Sequence, residues 1–309
     1  MNVSVRPVSE LIAGATPVTP GVSVVMVVYR TGEALASSID QVLAEPMVDE
    51  FIIVDNGSDE RDEQMLRTLE RADPRVRLLQ GHGNVGFAKG ANMGARAAGG
   101  RHVVFLNPDA FLQPDCVRSL VQALKGRPIP SLVGACVINE DGTEQRGARR
   151  GEVTPWTSLL SFGQLSRRFS SLKRYEIHRE TTDPLPTATV PTPTISGACF
   201  AMRREDFEAL DGFDESFFLH VEDIDICWRA RELGGEVLFQ PAAKVVHLGH
   251  TSLKSPLFVE FHKGMGLARY FIKRAKSFGP RAAAVLLAPL VIGMAVSRPA
   301  LWKLTGQRI

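Results

Sequence analysis

Val22-Ser23-Val24-Val25-Met26-Val27-Val28-Tyr29 is a nearly unbroken apolar run dominated by β-branched residues. Such a run fits a strand buried on both faces of a parallel sheet. A helical stretch follows around Ala34–Leu43, and then Phe51-Ile52-Ile53-Val54 stops at Asp55-Asn56-Gly57-Ser58, completing a βαβ unit. The alternation continues with a polar helix near Glu60–Arg71, a strand at Val76–Leu79 and a Gly/Ala-rich helix from Gly86 to Ala98. A strand at Val103–Leu106 then ends in Asn107-Pro108-Asp109, followed by a helix near Pro114–Leu124 and a strand at Leu132–Val137. This order predicts an α/β fold, an open, mostly parallel twisted sheet flanked by helices, with ligands outside the carboxyl ends of its strands. Asp55 and Asp109 lie at those ends.

Periodicity weakens from Glu144 to Thr194, where Asp183-Pro184-Leu185-Pro186 and Val190-Pro191-Thr192-Pro193 predict a long excursion with limited regular structure. A strand is expected at Ile195–Met202 and a short helix at Arg204–Leu210. Phe217-Phe218-Leu219-His220-Val221-Glu222-Asp223-Ile224-Asp225 then leads into a helix that stops at Gly234-Gly235, and strands follow near Val237–Gln240 and Lys244–His247.

A chain of 309 residues, 44% hydrophobic and 23% charged, excludes a peptide ligand, wholesale disorder and a polytopic membrane protein. Its net charge of +2 hides an asymmetry. Nine of the 36 Lys/Arg residues and none of the 34 Asp/Glu lie from Phe261 onward, which leaves 27 basic against 34 acidic residues before it. A basic tail on an acidic body suits an anionic partner, a membrane leaflet or a nucleic acid. The four cysteines, Cys116, Cys136, Cys199 and Cys227, form no C-x-x-C pair and sit in apolar stretches, as free thiols in a reducing compartment do. Residues 1–20 carry no signal-peptide pattern and are expected to be a surface leader, so a cytoplasmic location is expected.

Each chemistry-bearing motif has a structural alternative. Asp55 before Asn56-Gly57-Ser58 is placed for a nucleoside, while Ser58 or Asp59 could be an ordinary helix cap. Asp109 could hold a divalent cation that bridges two phosphates, or could be a turn residue after proline. Gly81-His82-Gly83-Asn84-Val85-Gly86 has the dinucleotide spacing, but the first βα turn, Tyr29-Arg30-Thr31-Gly32, lacks its glycines. The glycine-rich helix start with Lys89 one turn in could still contact a nucleotide. Glu222, Asp223 and Asp225 favour a helix N-terminus by charge alone, yet the apolar residues before them would set a carboxylate against a partly dry pocket, where a general base is useful. His247 and His250 end a strand, as packed residues or, for His247, as a cation ligand.

Together Val27-Val28-Tyr29, Val54-Asp55-Asn56-Gly57-Ser58, Asn84-x-Gly86-Phe87-Ala88-x-Gly90-x-Asn92, Asn107-Pro108-Asp109, Gly197-Ala198-x-Phe200 and Glu222-Asp223-x-Asp225-x-x-x-Arg229 stand in one order. In that order the chain resembles an inverting GT-A glycosyltransferase of family 2, in the rhamnosyltransferase-like, polysaccharide-synthesis branch, over Gly21–Ser252. The resemblance implies that Val28, Tyr29, Arg30 and Asp55 grip the nucleoside. Asn84, Gly86, Lys89 and Asn92 would line its other side, with Asn107 and Arg229 also among the nucleotide-sugar-binding residues. Asp109 would be the metal-holding acid, with Asn107 where the family's first acid stands, and His247 a further ligand of Mg2+ or Mn2+. Asp223 would be the base, paired with Glu222. The resemblance also implies a nucleotide-sugar-binding half at 21–130, an acceptor-binding and catalytic half at 131–260, and a helical tail at 261–309. The expected donor is dTDP-rhamnose or a UDP-sugar, and the acceptor a glycan or lipid-linked saccharide. A non-catalytic nucleotide-sugar-binding assembly protein on the same scaffold and an NAD(P)-dependent dehydrogenase are the alternatives.

Ala282–Val296 is an apolar run of 15 residues, about 22 Å as a helix against a hydrocarbon core of about 30 Å. With basic residues on both sides it predicts an interfacial helix on anionic lipid, at the inner face of the cell membrane; a helix packed on the catalytic domain is the alternative. Nucleic acid is disfavoured, since aromatic residues are sparse among the basic ones and no recognition motif is present.

Overall fold

The computed structural model describes residues 21–162, 169–249 and 255–305. The leader 1–20 and His250 lie outside them. The first strands, β1 (Val22–Val28), β2 (Val48–Asp55), β3 (Val76–Leu79) and β4 (His102–Leu106), alternate with α1 (Ala34–Ala44), α2 (Glu60–Ala72) and α3 (Phe87–Ala97). After them come β5 (Ala110–Leu112), α4 (Cys116–Ala123), β6 (Leu132–Ile138), β7 (Arg149–Arg150), α5 (Pro155–Phe162), β8 (Val190–Pro191) and β9 (Thr194–Ile195). The chain continues through β10 (Cys199–Arg203), α6 (Arg204–Ala209), α7 (Glu222–Glu232), β11 (Val237–His247), α8 (Pro256–Arg274) and α9 (Phe278–Thr305).

A nine-stranded sheet runs β3-β2-β1-β4-β10-β6-β11-β5, with β8 also on β11, while β7 and β9 form a separate pair. The half built by β1 to β4 is parallel. β10 enters antiparallel between β4 and β6, so the sheet is mixed while most of its long strands run parallel.

The unbroken apolar run of β1 has a direct cause. Val24, Met26 and Val28 point into one core layer with Leu35 and Ile39 of α1 and Leu66 of α2. Val25 and Val27 point into the other, with Ala88 and Ala91 of α3 and Phe207 of α6. A strand covered on both faces has no solvent side to mark with polar residues. The small residues of α3 permit its close seat: a Cβ on Gly94 would lie 2.4 Å from Val25 Cγ1.

The structure departs from the sequence reading in five places, the first being β5, a strand directly after Asn107-Pro108-Asp109 where none was expected. The excursion 144–194 contains β7, β8, α5 and two short 3-10 turns, because the prolines interrupt pairing without preventing it. The strand expected at Ile195–Met202 is split, since Ser196-Gly197-Ala198 turns the chain from the small sheet into the large one. The two strands expected at 237–247 are one strand with a register irregularity between Gln240 and Lys244. The tail is an antiparallel pair of helices, in which Gly264 of α8 lies against Ile292 and Ala295 of α9. The apolar part of α9, Phe278–Ala300, spans 23 residues at a mean hydropathy of 1.7, long and apolar enough to cross a membrane by length and composition. The apolar run Ala282–Val296 is shorter because Arg281 and Arg298 bound it, whereas the helix carries both arginines within its apolar span.

Candidate active site

The carboxyl ends of β1 and β2 are tied by the Asn56 amide, which donates to the Val28 carbonyl at 2.8 Å. Asp55 is 5% exposed; its Oδ1 accepts from the backbone N–H of Gly57 at 3.0 Å and Ser58 at 2.8 Å. Those bonds hold the carboxylate at the strand tip and form the turn that the Asn-Gly-Ser sequence favours. The Asn56 side chain donates to the Gly86 carbonyl at 3.0 Å, drawing in the start of α3, and Asn84 Oδ1 accepts from the Gly86 N–H at 3.0 Å. Arg30 is exposed at φ +47°, its guanidinium carbon 5.6 Å from the centre of the half-buried Tyr29 ring. Lys89 is exposed. His82, which no sequence motif marked, feels both the Asp55 and the Lys89 charge, and burial pulls its pKa down.

Gly86 occupies a special position. It has φ +84° and ψ 169°, and a Cβ there would lie 2.5 Å from the Phe218 carbonyl, which accepts the Phe87 N–H at 2.9 Å. The donor-side turn therefore touches the segment that leads to Asp223.

Asp109 follows β4 and is 6% exposed. Antiparallel pairing of β5 with β11 sets His247 opposite Ala110, and His247 Nε2 lies 3.2 Å from Asp109 Oδ1. Asn107 Nδ2 is 3.4 Å from the same ring nitrogen. His247 Nδ1 is 2.7 Å from Gln145 Oε1, whose amide nitrogen donates to the His247 carbonyl at 2.8 Å and to Asn139 Oδ1 at 3.2 Å. Since that nitrogen serves two oxygens, Oε1 accepts from Nδ1–H, which in the neutral imidazole leaves the lone pair on Nε2.

This donor set fits a divalent cation. The Nε2 lone pair and a carboxylate oxygen face each other at 3.2 Å, close to the separation of adjacent ligands each about 2.1 Å from one ion. Among the described residues no group of three or more His, Cys, Asp or Glu is placed to hold a metal ion by itself. Asp109 and His247 would hold the ion from the protein side and a diphosphate would complete its shell, as such cations commonly require.

Asp223 opens α7. The two residues before α7, His220 at φ +64° and Val221 at φ +74°, are left-handed, a strained conformation for β-branched Val221. Asp223 Oδ1 accepts from the Ile224 N–H at 2.8 Å; Oδ2 accepts from the Gly197 N–H at 3.3 Å and from Arg150 of β7. Glu222 is buried, and burial, with the neighbouring Asp223 charge adding to it, pushes its pKa up to about 8. The two acidic centres share one hinge: the Ala198 carbonyl accepts the Asn107 N–H at 2.8 Å, and the adjoining Gly197 N–H meets Asp223.

Asn92 and Arg229 lie outside this grouping. Asn92 exchanges bonds of 2.8 and 2.9 Å with the Phe213 backbone. Arg229 pairs with Asp225 at 2.8 Å and donates to the carbonyls of Leu210 and Gly212. Both fix the 210–215 loop beside a separate hollow of about 350 Å³ that they line with Lys273. Gln145 and Arg150 went unmarked because they lie in the excursion. The doublet Arg149-Arg150 is the one signal there. Strand alternation buries Arg149 against Glu144 at 2.7 Å and turns Arg150 to Asp223.

The family model for "Glycosyl transferase family 2" matches residues 23–211. The chain is 28% identical over 237 residues to the Sinorhizobium fredii protein y4gI, covering 74% of this chain but only 24% of that one. It is 26% identical over 264 residues to the Mycobacterium tuberculosis N-acetylglucosaminyl-diphospho-decaprenol L-rhamnosyltransferase, covering 75% of this chain and 78% of the relative. Among solved structures, the mannosyltransferase PcManGT from Pyrobaculum calidifontis, in complex with GDP-Man and Mn2+, superposes with a TM-score of 0.57 at 16% identity, covering 97% of this chain and 82% of that one. That likeness shows a GT-A-like fold.

Proposed function

The chain belongs to glycosyl transferase family 2, and on that footing we propose that it transfers a rhamnosyl or other hexosyl unit from a nucleotide diphosphate to a glycan or lipid-linked acceptor in cell-surface polysaccharide synthesis. The observation that carries this reading is the meeting of Asn107-Pro108-Asp109 and Asp223 at the Gly197-Ala198 hinge.

Val28, Tyr29, Arg30 and Asp55 hold the nucleoside, and Asn84, Gly86 and Lys89 close over it. Asp109 and His247 bind Mg2+ or Mn2+, which when present neutralises charge on the leaving diphosphate. Asp223 takes the proton of the acceptor hydroxyl at Oδ1, the oxygen with the single Ile224 N–H bond. Its carboxylate is held in place before the acceptor arrives, which favours an attack geometry. Attack opposite the departing diphosphate inverts the anomeric carbon. Burial raises the pKa of the neighbouring Glu222, which favours Asp223 as the acceptor of that proton.

Residues 21–130 form the donor half and 131–260 the acceptor half. A lipid-linked acceptor suits the tail: Leu257, Phe261 and Met265 form an exposed row on α8, and Leu286 of α9 is 80% exposed. Because α8 and α9 pack along each other, the pair rests on the inner face of the membrane as a unit, by these exposed apolar side chains, while Lys273, Arg274 and Lys276 pair with Asp214, Glu152 and Glu232 of the body. Mass spectrometry of products from a nucleotide-sugar library offered with an N-acetylglucosaminyl-diphospho-polyprenol tests the assignment; no transfer from any donor rejects it.

A further inference from the structure

We propose that residues 145–150 are a strap with two positioning ends: Gln145 fixes the His247 ring on the cation side, and Arg150 fixes the Asp223 carboxylate on the acceptor side. The proposal rests on the roles given above to those two partners.

At the first end, the Gln145 backbone N–H donates to the Val137 carbonyl at 2.9 Å, pinning the strap to β6. Its side chain grips β11 twice, by the amide nitrogen on the His247 carbonyl and by Oε1 on Nδ1. One residue therefore sets the height, rotation and tautomer of the imidazole. Outer partners of this kind orient metal-binding histidines, and their loss typically costs about 10–100-fold in metal affinity.

At the second end, the Arg150 side chain folds back on its own strap. Its Nε donates to the Gly147 carbonyl at 3.0 Å, and its Nη2 reaches the Ile195 carbonyl at 3.4 Å as well as Asp223. The Arg150 side chain is 16% exposed. With one nitrogen held by Gly147, the planar fork leaves its other end aimed at Asp223 Oδ2, which a lysine cannot reproduce. Between the ends, the Ala148 carbonyl accepts the Ser196 N–H at 3.1 Å, and Arg150 pairs with Thr194. The strap is thereby fastened to the Ser196–Ala198 hinge that lies between the two centres.

The ends separate by experiment in the full chain, using Gln145→Met, Arg150→Ala and Arg150→Lys, each checked for an unchanged melting temperature. Mn2+ affinity is read from the free-ion electron paramagnetic resonance signal with UDP or dTDP present, and the His247 tautomer from ring nitrogen chemical shifts. Gln145→Met is expected to weaken Mn2+ binding about tenfold or more and to lose the single Nδ1–H form. Arg150→Ala is expected to keep Mn2+ affinity and the donor KM within about twofold while kcat falls about 100-fold, with Arg150→Lys recovering part. Wild-type Mn2+ affinity in Gln145→Met, absence of Mn2+ binding in the native chain, or an Arg150→Ala variant with intact kcat overturns the strap. A native chain that binds Mn2+ but transfers no sugar rejects the enzyme instead, and the cation end is still decided by the titration and the ring shifts.

Discussion

His247 Nε2 stands 3.2 Å from Asp109 Oδ1, brought there by the antiparallel register of β11 on β5. Two acceptors at that distance repel unless a proton or a cation lies between them. Asp109→Ala is therefore expected to abolish the part of UDP or dTDP affinity that Mn2+ adds, about tenfold or more, while leaving metal-free binding nearly unchanged. Calorimetry with and without EDTA reads both quantities, and metal-supported affinity equal to wild type counts against the pairing.

Asp223→Asn keeps the shape of the side chain and removes its basicity. Transfer is expected to fall by about 10²–10⁴-fold with nucleotide affinity changed less than about twofold, as for loss of a general base. Substantial turnover in that variant would reject the assignment.

Gly86→Ala places a methyl 2.5 Å from the Phe218 carbonyl at φ +84°. A loss of about 1–3 kcal/mol is expected from the backbone conformation alone, read as a lower urea midpoint. A variant as stable as wild type would mean that the contact between the donor-side turn and the 217–221 segment is looser than described.

Burial pushes Glu222 from an ordinary value of 4.5 up to about 8. Between those values the folded protein keeps a proton that the unfolded chain releases, so this group's contribution to stability falls as pH rises, by up to about 1.4 kcal/mol per pH unit. Glu222→Gln is expected to flatten that slope between pH 5.5 and 8 in urea unfolding. An unchanged slope would show that Glu222 ionises normally.

Leu286 and Leu290 of α9 are 80% and 55% exposed. Leu286→Glu/Leu290→Glu is expected to reduce co-sedimentation with phosphatidylglycerol vesicles about tenfold or more, since two apolar side chains are lost and two like charges gained, with no fall in melting temperature. Undiminished vesicle binding would move the membrane contact elsewhere.

The parallel half of the sheet was legible because burial on both faces leaves no choice of residue, as in β1 and β2. The donor-side turns were legible for a similar reason: Asp55-Asn56-Gly57-Ser58 and the turn at Gly86 use backbone conformations that few sequences supply. The 144–194 excursion was not legible. Its two-residue strands β7, β8 and β9 are too short to show a period, and they form only because β8 finds an edge on β11 while β7 and β9 find each other across the chain. Asn92 and Arg229 belong to motifs that read as binding residues, yet their hydrogen bonds hold the 210–215 loop, a partner that no spacing rule reveals.

By itself the sequence determined the alternation of strands and helices, the acids at the strand ends, the family resemblance and the basic, apolar tail, because each is written in neighbouring residues or a local period. Only the tertiary structure decided that His247 meets Asp109, that Gln145 selects its tautomer, that Arg150 pairs with Asp223 and that α8 and α9 pack antiparallel. Those relationships join positions far apart in the chain. They depend on strand register and on which face of a short strand turns inward, quantities that exist only once the sheet has closed around them.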